Sequence, residues 1–176
     1  MPISNNQFKK TDPGYYLDKF QQAANQLDKK LLHKKQIEAA VGVVMESVYL
    51  KLYKKAWASP LQDPLTAESR IFFSIWINEA LIQEQKICYN IHAFKLRKLP
   101  GYSLESRKFA DSFRASFKPF KHEWPNVSMQ FGPLTLMEGW LSVDLENFHH
   151  EILELANNFL AIDHLIDETL EGFKKG

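Results

Sequence analysis

Apolar residues recur at three- and four-residue steps over much of this chain, the spacing of a helix with one buried side. In residues 15–35 they fall at Tyr16, Phe20, Ala24, Leu27 and Leu31, behind an Asp12-Pro13 helix start. In residues 36–58 they fall at Ile37, Ala40, Val44, Val48, Leu52 and Trp57, a second helix that Gly42 weakens without ending. A loop with Pro60 and Pro64 follows. Residues 66–99 then carry apolar side chains over a broad face, including Ile71, Phe72, Ile75, Trp76, Cys88 and Ile91, which predicts a central helix stopped by Pro100-Gly101. Phe109, Phe113, Phe117 and Phe120 stack along one side of a further helix.

The pattern changes over residues 126–143. Val127, Met129, Phe131, Leu134 and Leu136 alternate with polar or small residues around Gly132-Pro133, the mark of a β-hairpin or extended flap. Asp144 then suits the N-cap of a final helix to about Lys174. There Leu145, Phe148, Ile152, Leu155, Phe159, Ile162, Ile166 and Phe173 hold a seven-residue repeat broken at Thr169. These elements add up to an all-α protein: a bundle of about five helices with a short hairpin or flap before the long C-terminal helix. Residues 1–12 read as a flexible N-terminus and residues 13–176 as one helical-bundle domain.

Composition agrees with a helical globule. The 176 residues include only seven glycines and eight prolines, few for a loop-rich all-β chain. The single cysteine, Cys88, excludes an internal disulfide and a multi-cysteine zinc site. With no apolar stretch fit for a signal peptide or a membrane span, the expected compartment is cytoplasmic.

Charge is unevenly spread although the net value is +1. Residues 86–121 hold nine Lys/Arg against Glu105 and Asp111, a balance of +7, and residues 138–171 hold nine acids with no Lys or Arg. The densest feature lies at the end of the basic block, where Arg107, Lys108, Arg114, Lys118 and Lys121 flank the phenylalanine stripe. A basic amphipathic helix with an aromatic face suits an acidic partner helix, a nucleic-acid backbone or an anionic membrane surface. The segment around Glu138, Gly139 and Trp140 is a second candidate, being non-helical between helices.

Catalytic sets are weak. Glu146 and His149 have the spacing of a di-iron ligand pair but occur once. Glu151/Glu154 and Glu168/Glu171 would lie about 25 Å apart on one helix, too far to share an ion. Arg114 and His122 are spaced loosely for a ribonuclease pair, and Cys88 reads as a buried, inert thiol. No cofactor is expected. The reading that follows is a non-enzymatic interaction or regulatory protein, a homo-oligomer that meets a protein partner through Arg107, Lys108, Arg114, Lys118, Lys121 and Trp140 and through its acidic last helix. Two alternatives stand beside it: a nucleic-acid binder using residues 86–121, and a metal-dependent enzyme with His/Glu ligands inside the bundle.

Overall fold

The computed structural model describes residues 13–176, so the expectation for residues 1–12, and Asp12 as a helix start, lie outside the described residues. The fold is α+β, and the all-α bundle is overturned. Helices α1 (Pro13–Asn25) and α2 (Lys29–Lys35) lead into strands β1 (Glu38–Val44), β2 (Ser47–Tyr53) and β3 (Arg70–Ile77). A short helix α3 (Glu79–Glu84) precedes β4 (Lys86–Phe94), helix α4 (Ser106–Phe117) precedes β5 (Thr135–Ser142), and α5 (His149–Ile162) and α6 (His164–Glu171) complete the fold. The five strands form one antiparallel sheet in chain order, β1-β2-β3-β4-β5.

The two helices expected over residues 36–58 and 66–99 are therefore the hairpin β1-β2 and the pair β3-β4. Val48, Leu50 and Leu52 are buried on one side of β2, and Tyr49 and Lys51 alternate with them on the other. In β3, Ile71, Phe73, Ile75 and Ile77 alternate with Phe72, Ser74 and Trp76 in the same way. Apolar residues four apart fit a strand face as well as a helix face, and long-range pairing decides between them. The β1-β2 turn hides well in sequence: Met45 and Glu46 both adopt positive φ (47° and 65°) without glycine or asparagine.

All the larger helices pack on one face of the sheet, α1 against β1 and β2, α5 against β3 and α4 against β5. This back face is an aromatic core. The Phe73 ring stacks on Phe159 of α5 at 4.6 Å with the planes 4° apart, and Trp57 meets Phe159 edge-on. Trp124 closes the other end against Phe73, Tyr89 and Phe117. Gly139 is required here, because a Cβ would strike the Tyr89 hydroxyl, which donates to the Pro125 carbonyl at 2.8 Å.

A buried ion network ties the ends together. Asp163, at the α5-α6 junction, accepts from Lys35 at 2.9 Å and lies 3.5 Å from Lys54. Lys54 also donates to Asp167 at 2.6 Å, and Asp167 accepts from the Trp57 indole at 2.8 Å.

An uncovered aromatic and cationic sheet face

The other face of the sheet carries no helix among the described residues. Its side chains come from the alternate positions of each strand, and the register lines them up in rows. One row runs Gly42, Tyr49, Trp76, Cys88, Trp140; the next runs Ala40, Lys51, Ser74, Asn90, Glu138. Below them lie Phe72 opposite His92 and Arg70 opposite Phe94. Among the described residues, each ring contact and hydrogen bond of this face stays within the strands or reaches the loops at their ends.

Cations lie on the rings. Lys51 Nζ is 4.4 Å from the Tyr49 ring centre and 4.7 Å from that of Phe72. The Arg70 guanidinium lies 4.7 Å from the Phe94 ring centre, and Lys86 Nζ sits 4.0 Å above Trp140. Such contacts hold a cation by about 0.5–1 kcal/mol where water reaches it and by about 2 kcal/mol or more where it does not. Neither Lys51 nor Arg70 has a carboxylate partner among the described residues. Burial, and next the charge of Arg70, push the Lys51 ammonium below its ordinary pKa, and burial alone lowers Arg70. The Arg70 Nε atom is enclosed and unbonded, although its Nη1 donates to the Ala67 carbonyl at 2.6 Å.

Between the aromatic rows the floor is polar. Asn90 Nδ2 donates to Glu138 Oε1 at 3.0 Å and lies 2.8 Å from His92 Nε2, while His92 Nδ1 lies 3.2 Å from the Leu134 carbonyl. With Asn90 as the donor, Nε2 is the acceptor, which puts the imidazole proton on Nδ1, facing Leu134. Burial pulls the His92 pKa down, and the Leu134 carbonyl and Glu138 oppose it. Asn90 Oδ1 has no hydrogen-bond partner among the described residues although the residue is buried. Cys88 lies half-buried between Trp76 and Trp140 rather than inside a helix, and its thiol is pushed up to about 11, chiefly by burial. At neutral pH that thiol is protonated and a poor nucleophile.

Of the six residues singled out from sequence, Trp140 alone comes to this face. The others surround α4 and the turn after it. Phe109, Phe113 and Phe117 point into the core, which leaves Arg107 and Lys108 exposed. Arg114 is occupied structurally: it donates to the carbonyls of Leu136, Phe131, Gly132 and Thr135 at 2.8–3.0 Å, pinning the start of β5 and the turn before it. Lys118 and Lys121 flank an open hollow of about 510 Å³ with His122 and Trp124. α4 packs on α6 within the chain, with Phe109 against Phe173, yet no ion pair among the described residues joins the basic block to the acidic one. Among the described residues no three His, Cys, Asp or Glu side chains gather as a metal-ligand set. No helix among them is long and apolar enough to cross a membrane.

Sequence reasoning missed Tyr49, Lys51, Arg70, Phe72, Asn90 and His92 because they were assigned to helices. Reading residues 47–53, 70–77 and 86–94 at a two-residue period would have brought them to one face. Comparison with known proteins finds no matching family model, no matching curated protein and no matching solved structure.

Proposed function

We propose that this protein is a non-enzymatic, self-associating binding module that takes single-stranded nucleic acid across the uncovered face of its sheet. The observation that carries the reading is the pair Lys51 and Arg70: two partly buried cations with no acid paired to them among the described residues, each held on aromatic rings. A buried charge that the protein leaves unpaired is costly, and an incoming phosphate relieves that cost. The rings supply the rest. Bases stack on aromatic side chains whatever their identity, at about 1–3 kcal/mol per base. Antiparallel sheets with exposed rings and flanking cations meet single strands in this manner. Tyr49, Trp76 and Trp140 stand in one row across four strands, enough width for more than one base. The basic segment contributes its first nine residues, strand β4, and its helix α4 lies behind the sheet.

The test is fluorescence anisotropy of a labelled single-stranded oligonucleotide of about ten nucleotides. Three phosphate contacts, to Lys51, Arg70 and Lys86, predict an affinity that falls about 20-fold between about 50 and about 200 mM salt. Lys51→Met with Arg70→Met removes most of that dependence. Absence of binding at low salt, or binding that the double variant leaves unchanged, sinks the reading.

A further inference from the structure

We infer that the sheet face selects guanine: the Glu138 carboxylate, held by Asn90, accepts the two adjacent N–H donors of a guanine edge in the bound single strand. The inference rests on the proposed function and goes beyond it by naming the base that the face prefers.

A carboxylate is out of place where phosphates bind, unless it meets a donor. Glu138 stands at the β5 end of the row Ala40, Lys51, Ser74, Asn90, Glu138. Among the described residues it makes no ion pair. Lys51 and Arg70 share this face and are held on rings instead. Lys51 and Glu138 stand three strand spacings apart, roughly 14 Å between their backbones. A nucleotide suits both ends, with its phosphate toward the cation and its base edge toward the acid.

A one-way chain of hydrogen bonds fixes the acid. His92 Nδ1–H faces the Leu134 carbonyl at 3.2 Å, and Nε2 accepts from Asn90 Nδ2 at 2.8 Å. The second hydrogen of that amide goes to Glu138 Oε1 at 3.0 Å. Both Asn90 donors are thereby engaged, and at 2% exposure the amide is enclosed by its neighbours. What this end of the row offers a ligand is acceptors alone: Glu138 Oε2 and the remaining lone pair of Oε1.

Base chemistry then decides. Guanine alone among the four bases carries two adjacent donors on its pairing edge, N1–H and the N2 amino group. Adenine and cytosine set an acceptor nitrogen beside their amino group, and thymine or uracil flanks N3–H with two carbonyls. Each of these turns a lone pair toward the carboxylate. Bases of single strands are read on such edges while their rings stack. The spacing fits, because the row of Tyr49, Trp76 and Trp140 lies one pleat repeat from the row of Glu138. That repeat is about 7 Å, the span from the centre of a stacked purine to a partner of its edge.

Fluorescence anisotropy on the full chain tests this, with labelled oligothymidylates of about ten nucleotides that carry one central substitution. A central guanine binds about thirtyfold more tightly than a central adenine or cytosine. Inosine, which lacks the N2 amino group, falls between them. Glu138→Gln keeps the size and removes the charge, and it brings guanine and adenine within about threefold of each other. Equal binding of every oligonucleotide overturns base selection and leaves the sheet-face reading standing, and a preference for adenine or cytosine does the same. Inosine equal to guanine overturns the two-donor contact, and a guanine preference that survives Glu138→Gln overturns the role of Glu138. No binding by any of them at low salt removes the sheet-face reading itself, and the inference with it.

Discussion

The two faces of one sheet are made by the same strands and differ in almost everything else. On the back, Ile71, Phe73, Ile75, Ile87, Tyr89 and Ile91 are at most 1% exposed and locked under α5 and Trp124. On the front, Phe72, Ser74 and Asn90 are buried among their neighbours and Trp76, Cys88 and His92 are half-buried, a mixture of rings and polar groups over which no element lies among the described residues. A purely structural front would carry simple solvated polar side chains, as antiparallel sheets with one wet face usually do. Among the described residues this one holds cations without an acid and an amide oxygen without a partner, features that reduce stability and that a ligand would satisfy. The buried core lies behind the sheet, and the proposed binding surface lies in front of it.

The sharpest division is a pair of aromatic truncations. Phe73→Ala removes the ring stacked on Phe159 and costs about 4 kcal/mol in urea unfolding, with little remaining folded protein on which to measure binding. Trp140→Ala, on the front, costs under about 1 kcal/mol of stability. It lowers oligonucleotide affinity about tenfold, one base stack. Equal stability losses from the two variants would abolish the distinction between the faces.

Asp163→Ala extends the test to the back-side ion network. It leaves Lys35 without its acid and costs about 3 kcal/mol, read as a lower urea midpoint, with affinity per folded molecule unchanged.

The pH dependence is smaller and carries a definite sign. Burial holds His92 below its ordinary value of 6.5, so the unfolded chain takes up a proton more readily than the folded one. Its contribution is intact above pH 6.5 and is lost as pH falls from there through the lower folded pKa. His149, also lowered first by burial, acts in the same direction. Denaturation midpoints measured across pH 5–8 should decline on the acid side, less steeply in His92→Gln. An identical profile in that variant would place the dependence elsewhere. The smallest effect is at the β1-β2 turn, where Met45→Asn with Glu46→Gly suits two positive φ angles and raises stability by about 1 kcal/mol.

The same contrast explains what the sequence shows and what it hides. The spacing of Phe109, Phe113 and Phe117 describes α4 correctly because the rest of that helix is polar: Arg107, Lys108, Asp111 and Ser112 make its outer side unmistakable. Phe148 at the N-cap of α5 and Ile152, Leu155, Phe159, Ile162 and Ile166 are buried as their spacing predicts, but the single helix expected from Asp144 starts at His149 and breaks at Asp163. In β3 and β4 several front positions, Phe72, Trp76, Cys88 and Phe94, are themselves apolar or aromatic, so the two-residue alternation loses much of its contrast. Leu81 and Ile82 of α3 then bridge the strands into one long apolar stretch. Phe72, Trp76 and Cys88 thus concealed the strands in which they sit. The side chains of the proposed binding face are among those that made it illegible as a sheet, and the candidate site was lost with it.

The order of elements along the chain also bears on synthesis. The first four strands are complete at Phe94, but α5, which covers Phe73, ends at Ile162. At about 5–20 residues per second, the nascent sheet waits about 3–14 s with its apolar back open. During that interval the half-made protein presents a greasy surface and a free β1 edge at once, and a chaperone has its strongest claim on it then.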